Sequence, residues 1–249
     1  MNIYVCISNV PDTTTRIKYK AGNQEVDYTG VQWIINPWDE LALTRAIELK
    51  EANPGAIGKI ITITVGKADT EPTIRKALAI GADEAIRIDA VPLDAYSTAS
   101  NIAEALKQEE PGIILCGVES SDFNSWSVGG MLSEIMELPS VSAVSSLNFE
   151  NNKPIVTREI DGGKQQISVP VPCVLIVQKG IAIVPRIPSM RGIMTARTKP
   201  LKVNTGVSVD PLIKVSDYQA PPQKSVCKMI DPEHLEQLAD LLHTEARVI

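Results

Sequence analysis

Aromatic side chains are scarce in this sequence: three Trp, five Tyr and two Phe, 4% of 249 residues. A core of this size must then be filled by Ile, Val, Leu and Ala. Histidine is rarer still. His234 and His243 stand nine positions apart near the end of the chain, without a carboxylate or cysteine partner. No H-E-x-x-H, G-x-S-x-G or paired-carboxylate motif occurs, so self-sufficient hydrolytic catalysis lacks its usual parts. The four cysteines, Cys6, Cys116, Cys173 and Cys227, are dispersed, with no C-x-x-C pair and no metal-ligand spacing. Three of them sit in or beside apolar runs, so buried free thiols in a reducing cytoplasm are the expected reading. No apolar run approaches the roughly 20 residues of a membrane span. The first apolar run starts at once and ends at Asn9, which does not read as a signal peptide. With 24 Lys+Arg against 30 Asp+Glu, the net charge of −6 speaks against nucleic acid as the main partner. These absences predict a cytoplasmic protein without membrane insertion.

What is present is strand and helix in alternation. Met1–Ser8 is a short apolar run, broken by Asn9-Val10-Pro11-Asp12. Arg16–Lys20 and Glu25–Tyr28 read as a hairpin around Ala21-Gly22-Asn23-Gln24. Asn36-Pro37 then starts a helix through Trp38, Asp39 and Glu40, with Leu43, Ala46 and Ile47 at helical spacing. Lys59–Gly66 is a nearly continuous β-branched run, as expected of a strand covered on both faces. A helix over Glu71–Ile80 stops at Gly81, a strand covers Glu84–Ile88, and a helix follows over Asp94–Glu109. Four such alternations in about 130 residues predict right-handed crossovers and an α/β fold with a doubly wound, mostly parallel, Rossmann-like sheet.

The fourth repeat carries the chemistry. Ile113–Cys116 reads as a buried strand, and Met131, Leu132, Ile135, Met136 and Leu138 mark a helix face. Between them lies a polar loop with Ser120, Ser121, Asp122, Asn124, Ser125, Ser127, Gly129 and Gly130. A strand emptying through such a loop into a helix offers free backbone N–H groups and a positive dipole end, where phosphates bind in open α/β folds. The loop matches neither the P-loop nor the dinucleotide fingerprint. The plainer reading, serines capping an ordinary βα connection, stays open on this stretch alone. A ligand cradle without a catalytic constellation points to a binding or carrier subunit.

Beyond Pro139 the pattern changes. Val141–Phe149, Ile155–Ile160, Gln165–Val169 and Cys173–Val177 read as hairpins extending the sheet antiparallel, with turns at Asn151-Asn152, Asp161-Gly162-Gly163 and Pro170-Val171-Pro172. Pro185–Pro200 is a Pro-bounded loop in which Met190, Ile193 and Met194 are flanked by Arg186, Arg191 and Arg197. It either packs under itself or is an apolar anchor ringed by cations, suited to an acidic partner. Val207–Lys228 is Pro-rich and aperiodic, an extended arm. Asp231-Pro232-Glu233 then reads as the start of a last helix with Leu235, Leu238, Leu241 and Leu242 as its stripe. The expected division is a nucleotide-binding domain over 1–206 and an arm with helix over 207–249, which folds back on the domain or docks on another chain.

Several of these segments, in order, carry a family likeness. Val10–Asp12 forms a Val-Pro-Asp turn, Asn36–Glu40 an Asn-Pro-aromatic-x-Glu helix start, and Ala77–Asp83 reads ALAIGAD. The loop Gly117–Met131, Thr157–Gly163 (TREIDGG) and PRIPSMRGIMTAR from Pro185 follow. Over nearly its whole length the sequence resembles the β subunit of electron transfer flavoproteins. The resemblance implies a nucleotide whose adenine and ribose lie by Cys6, Ile7, Ser8, Asn36, Trp38, Glu40, Val65 and Gly66. Its phosphates would be held by Asp122 and by Asn124, Ser125, Trp126, Ser127, Val128 and Gly129. That nucleotide is AMP in most members and a second FAD in flavin-bifurcating relatives, which take electrons from NADH. Val128 in place of a threonine resembles the bifurcating form. The redox FAD belongs mainly to a partner α subunit, with Trp38 and Thr13 where members place flavin-side contacts. Met190, Arg191, Ile193 and Met194 correspond to the loop that recognises acyl-CoA or other dehydrogenases, Met190 standing at the usual leucine anchor. Electrons would leave to a quinone reductase or another acceptor. A stand-alone adenine-nucleotide module without redox role is the alternative from another class.

Overall fold

The computed structural model describes residues 1–22, 24–150, 153–224 and 226–249. The expected turn at Asn151-Asn152 and position Asn23 of the expected hairpin turn lie outside them. In chain order the elements are β1 (Asn2–Cys6), β2 (Asn9–Pro11), β3 (Lys18–Tyr19), β4 (Val26–Asp27), β5 (Trp33–Ile35), α1 (Pro37–Ala52), β6 (Ile60–Val65) and α2 (Glu71–Ile80). There follow β7 (Glu84–Asp89), α3 (Ala95–Leu106), β8 (Pro111–Gly117), α4 (Val128–Ile135), β9 (Ser140–Glu150), β10 (Lys153–Ile160), β11 (Gly163–Ser168) and β12 (Cys173–Val177). The chain ends with α5 (Met190–Ala196), β13 (Leu201–Thr205) and α6 (Leu235–Leu241), extended by one π-helical turn over Leu242–Ala246.

One nine-stranded sheet, in the order β11-β10-β9-β12-β8-β1-β6-β7-β13, organises the molecule. Its central strands β1, β6, β8 and β12 are almost wholly buried. Such apolar strands can only lie where helices cover both faces. On one face Ile3, Val5, Leu43, Ile47, Leu78, Ile113 and Leu175 pack under α1 and α2. On the other, Tyr4, Ile61, Ile63, Ile102, Leu106, Ile114 and Leu132 pack under α3 and α4. The branched aliphatics thus do the work that aromatics do elsewhere.

The antiparallel extension is real but narrower than expected. Antiparallel pairing in this sheet is confined to the β9-β10-β11 meander, in which β10 alone runs against the other strands. Cys173–Val177 is not a hairpin strand: it slots between β8 and β9 and runs parallel to both. All five of its residues are buried, which is the signature of an interior parallel strand rather than an alternating one. The edge strand β13, parallel to β7, carries no sequence signal because three of its five residues are exposed. The last helix starts later than expected. The Asp231 carboxylate accepts the Glu233 N–H at 3.0 Å and closes a turn, so α6 begins only after His234. No helix among the described residues is long and apolar enough to cross a membrane.

Candidate functional site

The sheet grows in one direction from β1 through β6 and β7, and in the other through β8 and β12. Between β1 and β8 lies a topological switch point, and ligands of open α/β sheets bind in the crevice outside the carboxyl ends there. The first turn of α1 fastens both banks of this crevice. Asn36 stands at the N-cap position, with Pro37 as the first helical residue, but its side chain makes no cap and turns to the loop instead. Its Nδ2 donates to the Glu119 carbonyl at 2.8 Å, and its Oδ1 accepts the Ser121 N–H at 3.2 Å. Asp39 spans the gap: Oδ2 accepts the Ser8 N–H at 2.8 Å and Oδ1 the Gly117 N–H at 3.0 Å. Gly117 is glycine for a steric reason, since a Cβ there would collide with the Asp39 carboxylate and Trp38. Burial pushes the Asp39 carboxyl up to about 7, against the pull of hydrogen bonds from Ser8, Asn36 and Gly117.

Asp39 is the residue that sequence reasoning passed over, between two expected ones. Its neighbour Glu40 ion-pairs with Lys76 of α2 at 3.0 Å. The signal for Asp39 was present, an acid at the third helical position after an Asn cap, but it reads equally as dipole complementation.

Beyond Gly117 the loop over residues 118–127 stands at the mouth. Asn124 and Trp126 both adopt left-handed backbone, φ +49° and +53°, an uncommon state for a bulky side chain. Asp122 and Trp126 are exposed, and the Trp126 Nε1 donates to the Glu119 carboxylate. Ser127 precedes α4 but makes no side-chain cap; its hydroxyl donates to the Ser125 carbonyl at 2.6 Å instead. The first-turn N–H groups of α4 are thereby left without a side-chain acceptor, as an anion site requires. Gly129 answers a packing need, since a Cβ there would strike Ile176. Gly130 opens on free space.

The expected residues divide between two neighbouring places. Ser8, Asn36 and the loop are tied together at the switch point. Val65 and Gly66 end β6 beside it, with the Gly66 N–H on the Ile88 carbonyl and its own carbonyl accepting from Arg87. The Cys6 thiol turns into the core, 3.4 Å from the Cys116 sulfur, and Ile7 packs on the opposite face. On the β12 side a cleft of ≈ 440 Å³ is lined by Trp38, Glu119, Trp126, Glu159, Gln178 and Lys179, among others. It brings two of the chain's three indoles together and does not include Ser8, Val65 or Gly66.

The arginine-flanked segment is not a loose loop. Ser189 caps α5 by accepting the Gly192 N–H at 3.0 Å. Upstream, Arg186 pairs with Glu51 of α1, and its N–H donates to Thr44 Oγ1 at 3.0 Å. So held, the segment presents Ile187, Met190 and Met194 to solvent, 87%, 77% and 71% exposed. Arg191 lies on α5 between the two methionines, and Ile193 is less exposed than either.

Known proteins match this chain over most of its length. Residues 25–205 match the model of the electron transfer flavoprotein domain. The electron transfer flavoprotein subunit beta of Syntrophomonas wolfei is 34% identical over 234 residues, 94% of this chain and 91% of that one. That of Bacillus subtilis is 33% identical over 263 aligned positions, covering both chains in full. The homologue of Thermoanaerobacterium thermosaccharolyticum is 35% identical over 202 residues, 80% of this chain and 76% of its own.

Proposed function

Because the chain belongs to the electron transfer flavoprotein family and matches its β subunits end to end, we propose that it is the adenylate-binding half of a cytoplasmic, heterodimeric electron carrier. The observation that carries this reading is the Asn36–Asp39 bracket at the switch point, which ties down the loop leading into the uncapped start of α4. We read the occupant as AMP, lying over the bracket, whose own donors are spent within the protein, and meeting the free N–H groups at the start of α4. Ser8, Asn36, Val65 and Gly66 would receive the adenosine, and the N–H groups at Val128 to Gly130 would receive the phosphate. Asp122 is left to accept from a ribose hydroxyl, a task that suits an exposed carboxylate better than a phosphate does.

A flavin held mainly by an α subunit supplies the redox chemistry. This chain's residues bind, position and shield. Trp38 and Trp126 would wall the flavin side of the interface, and the apolar side chains of the 207–249 segment would bury against the partner. Val226, Met229 and Leu235 are largely exposed in the lone chain, a cost that docking removes. Met190 and Met194 of α5, with Arg191 beside them, suit an acyl-CoA or other dehydrogenase with an apolar notch in an acidic surface. A quinone reductase or another acceptor takes the electrons onward.

One observation favours a second reading. The indole-lined cleft adjoins the seat, and Val128 offers no hydroxyl to a phosphate, so a second FAD with its ring system toward Trp38 and Trp126 is the bifurcating alternative. The test is the nucleotide content of the purified heterodimer. One FAD and one AMP per complex are expected. Two FADs, with bleaching by NADH, would select the alternative, and failure to bind any flavoprotein partner would reduce the chain to a stand-alone nucleotide module.

A further inference from the structure

Across the sheet, at the level where β1 ends, strands β6, β1, β8 and β12 place Ile63, Cys6, Cys116 and Ile176 side by side. All four belong to the core cluster under α3 and α4. β1 and β8 run parallel with Val5 opposite Leu115, so the next step sets Cys6 opposite Cys116. Their sulfurs are 3.4 Å apart, with the Cys116 thiol donating to Cys6. Packing explains a small residue in this row but not two thiols. The first turn of α4 lies on it: a Cβ added to Gly129 would stand 2.6 Å from Ile176 and 3.3 Å from the Cys116 Cβ. Alanine or serine at 116 would leave the same room. Among the described residues no other cysteine joins the pair. Cys173 packs on the opposite face of the sheet, and Cys227 is exposed, its sulfur 3.9 Å from that of Met229.

Neighbouring strands lie about 4.8 Å apart, inside the Cα separation of roughly 4.4–6.8 Å that disulfides span. A bond of about 2 Å needs the two sulfurs to close by little more than 1 Å. Side-chain rotation supplies that without parting the ladder between β1 and β8. At 7% and 2% exposure, Cys6 and Cys116 admit only a small oxidant. The hydrogen bond from Cys116, together with burial, holds the Cys6 thiol well above its ordinary range. It stays protonated at rest and reacts slowly. Slow closure suits sustained oxidation rather than a brief pulse.

We propose that Cys6 and Cys116 form an oxidation-dependent staple: hydrogen peroxide closes them into a disulfide that ties the first strand to the fourth, and a thiol reductant reopens it. Peroxide first converts one thiol to a sulfenic acid and releases a water. The second thiol then attacks that sulfur, its S–O bond breaks, and a second water leaves. Two S–H bonds are lost, one S–S bond forms, and the two electrons pass to the peroxide oxygens. The bond joins positions 110 apart in sequence, so it removes freedom from a long stretch of the unfolded chain. It lies one residue before Gly117 and two before Ser8, the pair of N–H donors that Asp39 holds. The staple is independent of what the crevice binds.

The experiment treats the heterodimer with its α subunit, carrying Cys227→Ser to remove the exposed thiol, with hydrogen peroxide. Acid quenching, denaturation and alkylation follow. Peptide mapping should find Cys6 joined to Cys116 and Cys173 alkylated, and dithiothreitol should restore both thiols. Amide hydrogen exchange in β1 and β8 should slow about tenfold or more in the oxidised complex and recover on reduction. Cys116→Ala, and separately Cys6→Ala, should show neither the link nor the slowing. Two alkylated thiols after peroxide, or sulfinic acids in place of the link, overturn the pairing. A link that forms while exchange in β1 and β8 stays unchanged overturns the staple.

Discussion

Asp39 titrates as an ordinary carboxylate in the unfolded chain and near 7 in the fold, chiefly because burial disfavours its charge. The folded state therefore holds the proton more tightly than the unfolded state. Its contribution to stability is complete below pH 4 and is lost as the pH rises toward 7, by about 4 kcal/mol at most. Asp39→Asn removes that slope. It also leaves one oxygen to serve two N–H groups, which costs about 1–3 kcal/mol where wild type is neutral. Denaturant midpoints from pH 4 to 8 should thus fall in wild type, stay flat in the variant and cross, wild type being the more stable at pH 4 and the less stable at pH 8. Parallel curves would show that Asp39 does not titrate in this window. The start of α1 was readable from Asn36-Pro37 and two first-turn acids. Which acid turns inward was not, because that depends on strand ends more than 70 positions away at Gly117.

At the scale of elements, α5 and α2 close each other's ends. Arg75 Nη1 donates to the Ala196 and Lys199 carbonyls, both at 2.8 Å, and Lys199 Nζ donates to the Leu78 and Ala82 carbonyls at 2.8 and 2.6 Å. Cations at helix C-termini satisfy carbonyls that have no partner of their own. Gly192 lets the helices touch, since any Cβ there would meet the Ala79 carbonyl. Arg75→Ala should raise amide hydrogen exchange over residues 190–199 by roughly tenfold or more, the worth of a lost charged hydrogen bond, with β1 and β8 unchanged. Unchanged exchange in α5 would mean that its apolar underside alone holds it. Helices that bury one face were legible from period, and the parallel strands β1, β6, β7 and β8 from apolar runs alternating with those helices. The direction of β12 was not: Cys173–Val177 is apolar throughout, and a strand buried on both faces carries no alternation to orient it. For the same reason Pro185–Pro200 read as a loop, its seven-residue helix being too short to show a period.

For the whole molecule, the surfaces that matter in the proposed role are those the lone chain leaves uncovered. Met190→Ala deletes the most protruding side chain of α5 without touching the sheet. In the heterodimer it should raise the apparent KM for the dehydrogenase roughly tenfold, with flavin and nucleotide content unchanged. Identical kinetics would remove α5 from the docking reaction. The bracket at Asn36 and Asp39 belongs to a different category, since both of its banks and its crosspiece come from one chain and one sheet. A gap set in this way works as a gauge, not as a jaw: it offers the same width whichever neighbour is present. An adenylate alone and an adenylate with a longer molecule attached would register there identically. Telling them apart would fall to side chains outside the bracket, Trp126 and the hydroxyl-free Val128 among them.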